Sequence, residues 1–237
     1  MFGRLRGMHA LRALFLRIGG RKSCSEMRGE EEVMKPLVTV SREYGSGGRI
    51  IGAKIAERLG VPIYDKELID LAAEKSGLSK EIVESAELKA KSGFTYSLSS
   101  AINLGPGIAY ENYSINETLF NAQFDVVEQI GQLGEGVIVG RCADYVLKDI
   151  PNVTNIFIYG ELEDRVRRCV EDYGDDPESV KKKIATYDKA RANYYNYHTC
   201  RKWGDYRNYN LMVDSSYMGE DEIADLVVQF VKTRNTR

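Results

Sequence analysis

Gly45-Ser46-Gly47-Gly48 stands between a short apolar run, Leu37 to Val40, and a segment in which Ile51, Ile55 and Leu59 recur with the period of one helical face. Glycines at such a junction let backbone amides turn inward as a nest, and the helix that follows adds the partial positive charge of its N-terminus. The chemistry this turn can perform is anion binding, and phosphate is the anion it suits. Arg42 and Arg49 flank the turn and bring further positive charge to it. A glycine-rich strand-to-helix turn that holds no ligand is the plain alternative.

Two known phosphate patterns are only partly matched. In G-x-x-x-x-G-K-[ST] the lysine reaches the outer phosphates and the hydroxyl holds Mg²⁺. With the Gly47 of Gly45-Ser46-Gly47 laid on its second glycine, Gly48 stands where the lysine belongs and no Ser or Thr follows. The dinucleotide pattern G-x-G-x-x-G is half met, because Ile50 takes the place of its third glycine. Asp65 lies twenty residues beyond Gly45, where a ribose-binding acid can sit. Ser41 to Tyr44 nevertheless separate the strand from the first glycine, an approach that suits a loop wrapped around a phosphate chain better than a tight dinucleotide turn.

Three further constellations carry charge of the right kind. Gly140-Arg141 ends the apolar run Gly136 to Val139, where a guanidinium can clamp a phosphate through two parallel hydrogen bonds, or pair with Asp144 for structural reasons. Asp188 and Arg191 stand at i, i+3 on one helical face, an arrangement that on a surface is worth roughly a few tenths of a kcal/mol. Arg165 and Arg168 share a face of their own, either solvated or closing over a phosphate chain. Between residues 187 and 209 lie six tyrosines and Trp203 among basic residues, a composition that serves base stacking or ordinary helix packing. His198 has no serine or carboxylate at a telling distance and reads as structural.

These residues need a frame to position them. Alternating patterns predict strands at 37–40, 61–64, 136–140, 155–159 and 211–213. Helices are predicted from Gly48, at 66–75, 79–91, 117–133, 162–173, 177–195 and 221–233, with a loop at 92–116. Strand-helix alternation predicts an α/β fold, a parallel sheet with helices on both faces. In such sheets ligands gather at the carboxyl ends of the strands, where Ser41, Asp65, Arg141 and Asp214 fall.

The 237 residues, 43% apolar and 29% charged, suit one globular domain, and a net charge of −2 gives no whole-chain reason for nucleic acid or acidic membranes as partners. No apolar run approaches a membrane span. Cys24, Cys142, Cys169 and Cys200 lack metal or disulfide-framework spacing, which points to a reducing cytoplasm. Residues 1–33 differ in kind: six basic side chains and no acid within the first 25, with Leu11, Leu14, Phe15 and Ile18 on one stripe. A targeting or membrane-surface segment, or translation starting at Met34, accounts for them, and the fold is expected over residues 34–237.

In order along the chain, SREYGSGGRIIG, VPIYDKELI, VIVGRCADYVL, NIFIYGELEDRVRR, DKARANYYNYHT and NLMVDSS resemble the cytidylate kinase-like branch of the nucleoside monophosphate kinases over about residues 35–233. The resemblance implies a three-layer P-loop NTPase-like core, a monophosphate-binding insertion at 66–120, and a lid with its flanks at 160–205. It implies transfer of a phosphoryl group from ATP, with Mg²⁺, to a nucleoside monophosphate, CMP or dCMP first. Gly45, Ser46, Gly47, Gly48 and Arg49 would then bind the ATP phosphates. Asp65, Arg141, Asp188 and Arg191 would hold the acceptor, and Arg42, Arg165 and Arg168 would serve catalysis. No residue presents itself as a direct metal ligand, unless water bridges Mg²⁺ to Asp65 or Asp214. The absent lysine and hydroxyl, and Val139 and Cys142 where acids flank the G-R pair in that family, leave two alternatives. One is a nucleotide-binding sensor of the same fold, the other a kinase for a different acceptor. A dinucleotide oxidoreductase is more distant.

Overall fold

The computed structural model describes residues 36–65, 77 and 106–235. Five parallel strands form one sheet in the order β2-β3-β1-β4-β5, namely β1 (Leu37–Arg42), β2 (Ile63–Tyr64), β3 (Gly136–Val139), β4 (Val153–Tyr159) and β5 (Leu211–Asp214). β1 lies at the centre, with Val38 opposite Val137 on one side and Thr154 on the other. Its sequence, LVTVSR, is rich in β-branched residues and buried through Ser41, as a central strand covered on both faces must be.

Alternation along β1 divides the core in two. Val38 and Val40 pack with Ile51 and Ile55 of α1 (Gly48–Leu59) and with Ile223 and Val227 of α6 (Glu220–Asn235). Leu37 faces the other layer, with Val127 and Ile130 of α2 (Pro106–Leu133) and Val146 of the short α3 (Ala143–Val146). Gly131 lets α2 approach this layer, because a Cβ there would stand 2.4 Å from Leu147 Cδ2. The predicted α/β sheet with helices on both faces is therefore what forms. α4 (Leu162–Glu171) and α5 (Val180–Thr199) complete the chain, packed on each other beyond the carboxyl edge of β4.

One expectation is corrected. Residues 106–116, read as the end of a loop, belong to α2, which begins at Pro106. Gly107, Asn112, Ser114 and Asn116 depress intrinsic propensity. Extending a helix already nucleated by the strongly periodic stretch from Leu119 to Ile130 nevertheless requires no second nucleus. Pro106 was the signal, since proline is favoured at the first helical position. α5 likewise runs on to Thr199 rather than stopping near Tyr195. The helices predicted at 66–75 and 79–91, much of the monophosphate-binding insertion, and the N-terminal 33 residues lie outside the described residues.

Candidate functional site

The loop after β1 gets its shape from its own backbone and from what holds it at the rear. Gly45 and Gly47 both adopt left-handed φ, 79° and 74°, which reverses the chain twice before α1 begins at Gly48. The Glu43 amide donates to the Ile158 carbonyl at 3.0 Å, tying the loop to β4. Ser46, fully buried, donates its hydroxyl to the Glu43 carbonyl at 2.9 Å. Arg168 donates to the Gly45 carbonyl at 2.7 Å and to the Ser215 carbonyl at 3.3 Å. α4 packs so closely that a Cβ at Gly45 would lie 2.7 Å from Cys169 Sγ and 2.9 Å from the Arg165 carbonyl.

Arg165, predicted to close over phosphates from solvent, is 8% exposed and already committed. Its Nη1 donates to Asp188 Oδ2 at 2.6 Å and to the Tyr44 carbonyl at 3.3 Å, and lies 3.2 Å from Glu43 Oε2. Asp188 accepts from the Tyr44 amide at 2.7 Å through its other oxygen. The Asp188–Arg191 pair is 3.7 Å long and sheltered, so Asp188 is a clasp between α5 and the loop rather than a surface ion pair. Arg165 and Arg168, as placed here, hold the loop's shape.

The front of the loop is different. Arg42 sits at the end of β1 with Arg191, Arg141 and Arg49 as charged neighbours and Asp65 as the opposing one. Burial, then repulsion from those three arginines, pushes its pKa down to about 9, partly offset by Asp65. A guanidinium so placed is still charged at neutral pH, and its environment favours an anion. Burial also lowers Arg191, against the attraction of Asp188, and Arg191 donates to the Arg42 carbonyl at 3.3 Å. Arg49, 62% exposed along its side chain, pairs with Asp65 at 2.8 Å, which joins the first turn of α1 to the end of β2. Arg141 follows β3 with φ 58°, in the left-handed region, where only a strongly determined backbone holds a non-glycine residue. Asp144, its suggested structural partner, is 2% exposed and accepts from the Tyr195 hydroxyl at 2.6 Å.

Two neighbours of this cluster escaped sequence reasoning. Glu43 and Tyr44 lie in the loop's approach, where the acid in particular was a readable signal. Burial raises the Glu43 carboxyl, against Arg165 and the Gly160 amide, which donates to it at 3.2 Å. Tyr44 packs its ring against Tyr187, tilted at 37° with centroids 4.5 Å apart, and lies under Arg191 at 5.6 Å.

The aromatic stretch mostly packs. Trp203 and Tyr209 flank Phe157, and Tyr194 donates to Gln123 at 3.2 Å. His198 stacks on Phe120 at 3.8 Å, and burial depresses its pKa to about 4. It is neutral at pH 7 and has a packing role. Cys142 and Cys169 are buried, with thiols pushed up by desolvation, so they are inert toward deprotonation. Among the described residues no three His, Cys, Asp or Glu side chains are grouped to hold a metal, and no helix is long and apolar enough to cross a membrane.

A family model for the cytidylate kinase-like family matches the chain over residues 37–217. The chain belongs to that family. A crystal structure of an uncharacterised protein from Eubacterium ventriosum is 25% identical, with a TM-score of 0.64, over 84% of this chain and 99% of that one. A gluconokinase from Sinorhizobium meliloti shares the fold at 14% identity and a TM-score of 0.52, over 86% of this chain and 95% of its own. No curated protein matches the chain. The cytidylate kinase-like chain thus has the P-loop kinase fold, a kinase-like phosphotransferase frame around a loop without the usual lysine.

Proposed function

We propose that this protein transfers the γ-phosphoryl group of ATP to a nucleoside monophosphate, with CMP or dCMP as the preferred acceptor, from one domain spanning residues 34–237. One observation carries the reading: Arg191, Arg141 and Arg49 lie close enough to Arg42 to repel its charge, at the carboxyl edge of the sheet where the glycine loop begins. Like charges are crowded together only at a cost, which an anionic ligand removes. Phosphoryl transfer asks a protein for positioning and charge neutralisation rather than covalent chemistry, and this arrangement provides both.

In this reading the amides from Gly45 to Gly48 cradle the phosphate chain of ATP, and Arg49 lies at its outer side. Arg141 and Arg191 grip the acceptor phosphate from the end of β3 and the middle of α5, while Asp188 orients Arg191 and Asp65 orients Arg49. Arg42 lies between the two groups, where negative charge spreads during transfer. Arg165 and Arg168 keep the nest in shape. Mg²⁺ would arrive bound to the nucleotide, neutralising its outer phosphates, with Asp65 and Asp214 near enough to the strand ends to hold its waters. The family match and the kinase fold support phosphoryl transfer. CMP and dCMP rest on the family resemblance alone, while G-R at 140–141 and D-x-x-R at 188–191 support a grip on the acceptor's phosphate and ribose.

A second reading, a sensor that binds nucleotide without turnover, is favoured by one contact. The Tyr44 amide, part of the approach to the nest, is already occupied by Asp188. ADP release by the full chain, with ATP, Mg²⁺ and each ribo- and deoxyribonucleoside monophosphate in turn, decides between them. We expect turnover with CMP or dCMP, lowered at least about a hundredfold in Arg141→Ala, the usual effect of losing a charge contact to the reacting group. ATP binding without turnover on any nucleoside monophosphate would leave the sensor reading.

A further inference from the structure

In the pattern G-x-x-x-x-G-K-[ST] the first glycine precedes the second by five positions. With Gly47 as the second, Arg42 stands where the first glycine belongs and Gly48 where the lysine belongs. Both departures concern the same small volume. A Cβ at Gly48 would lie 2.5 Å from Arg42 Cβ and 2.9 Å from Arg42 Cγ. The nearer of these, Cβ, is fixed by the Arg42 backbone, so it cannot swing away as the end of a long side chain can.

The other end of the same side chain explains a second glycine. A Cβ at Gly140 would stand 2.3 Å from Arg42 Nη1, and Gly140 has φ 82°. Arg42 therefore leaves β1, crosses the start of α1 where residue 48 would project a side chain, and brings its guanidinium to the end of β3. The clearance comes from Gly48 at its stem and Gly140 at its head.

We propose that Arg42 and Gly48 are one matched exchange: the cation that this kind of loop ordinarily takes from its lysine position is supplied here from its first position. Gly48 is glycine because Arg42 passes over it. Arg49, the other flanking arginine, is ill placed for the task, being 62% exposed along its side chain and paired with Asp65 at 2.8 Å. The crowd of arginines around Arg42 supports the assignment, since Arg191, Arg141 and Arg49 repel its charge and Asp65 offsets them only in part. The role of the charge rests on the phosphate-binding reading above, whereas the steric coupling of the two positions does not.

Two measurements on the full-length protein test this separately. The first is a thermal-unfolding cycle without ligand, on Gly48→Ala, Arg42→Gly and the pair. Gly48→Ala should lower the melting temperature when Arg42 is present and leave it unchanged in the Arg42→Gly background, a non-additivity expected only of residues that compete for space. Equal effects in both backgrounds would overturn the exchange. The second is calorimetric titration of inorganic tripolyphosphate and of ATP, which requires no turnover. Arg42→Gly should weaken both at least tenfold, and Arg42→Gly with Gly48→Lys should return them to within about threefold of wild type, the lysine now having room. Unchanged affinity in Arg42→Gly, no recovery in a folded double variant, or no binding by the wild type would overturn the cation's role. Failure of every acceptor to be phosphorylated would sink the kinase reading and leave both of these results standing.

Discussion

The two sides of the glycine loop use arginine in opposite ways. At the rear, Arg165 and Arg168 are spent on the protein itself: carboxylates of Asp188 and Glu43, carbonyls of Tyr44, Gly45 and Ser215. At the front, Arg42 is surrounded chiefly by other arginines. A guanidinium whose donors end on protein acceptors is part of a scaffold. A group of guanidiniums that repel one another stores electrostatic cost which folding alone does not explain. Sequence cannot make that distinction, because Arg165-x-x-Arg168 and Asp188-x-x-Arg191 look alike as helical spacings, and only the acceptors near each differ.

The largest effect that follows is on stability, from the rear. Arg165→Ala leaves Asp188 and Glu43 near each other, largely buried, without the cation between them. Removing one partner of a buried pair typically costs about 3–5 kcal/mol, and the lower end applies here because Asp188 keeps the Tyr44 amide and Arg191. Denaturant unfolding should show the loss in full. If Arg165→Ala unfolds like wild type, Arg165 is not scaffold and the contrast between the two sides fails.

Much of the frame was legible in the chain. The 3.6-residue recurrence of Ile51 and Ile55 and the apolar run of β1 predicted the strand, turn and helix that hold the site, because both are buried and so carry clean patterns. Asp65, Arg141 and Asp214 were placed at one edge by the rule for parallel sheets alone. What was not legible depends on the paths of long side chains. Nothing in the string GSGGR says that Gly48 is vacant because Arg42 occupies its space, since the two are six positions apart and the clash is with stem atoms. Asp188 read as half of an ordinary ion pair because its second acceptor role, toward the Tyr44 amide, spans 144 positions of sequence. The start of α2 was missed for a different reason: local propensity was weighed above the cooperative extension of a helix.

A smaller effect sharpens the comparison by asking what a buried charge costs when burial outweighs its partners. Asp144 is 2% exposed on α3, and its carboxyl is raised above the ordinary range. Burial is the main cause, against the Tyr195 hydrogen bond, nearby backbone amides and the Arg201 charge. Tyr209 and Cys142 lie on the same side and are themselves pushed up, so neither supplies charge. A folded-state pKa above the unfolded one means the contribution is fully present below the unfolded value and is lost as pH rises through the folded value. Wild type should therefore lose stability relative to Asp144→Asn across that interval and hold a constant deficit above it, since asparagine can still accept from Tyr195 without bearing charge. Parallel melting curves at all pH values would show that Asp144 ionises in the fold as freely as in the unfolded chain.

The smallest effect belongs to charges that neither hold the loop nor face it. Arg58 and Lys54 of α1 reach Asp221 of α6 at 2.8 and 2.6 Å, and Arg58 reaches Asp225 at 2.6 Å. The Asp221 carboxyl is held below the usual range, by Arg58 first and Lys54 next. That contribution is present above the unfolded pKa and disappears as pH falls through the folded one. Yet Asp221 and Asp225 are 67% and 69% exposed, so water and salt screen the attraction, and ordering long side chains opposes what remains. Beneath these pairs, Ile55, Val227 and Val231 already join the two helices through buried apolar surface, which salt does not screen. Arg58→Ala should accordingly leave the melting temperature close to wild type, and any difference at low ionic strength should shrink as salt is added. A loss that persisted at high salt would mean that the Arg58 stem, rather than its charge, helps hold α1 to α6. Arginine would then matter structurally in a third place, through its stem rather than its charge, away from both sides of the loop.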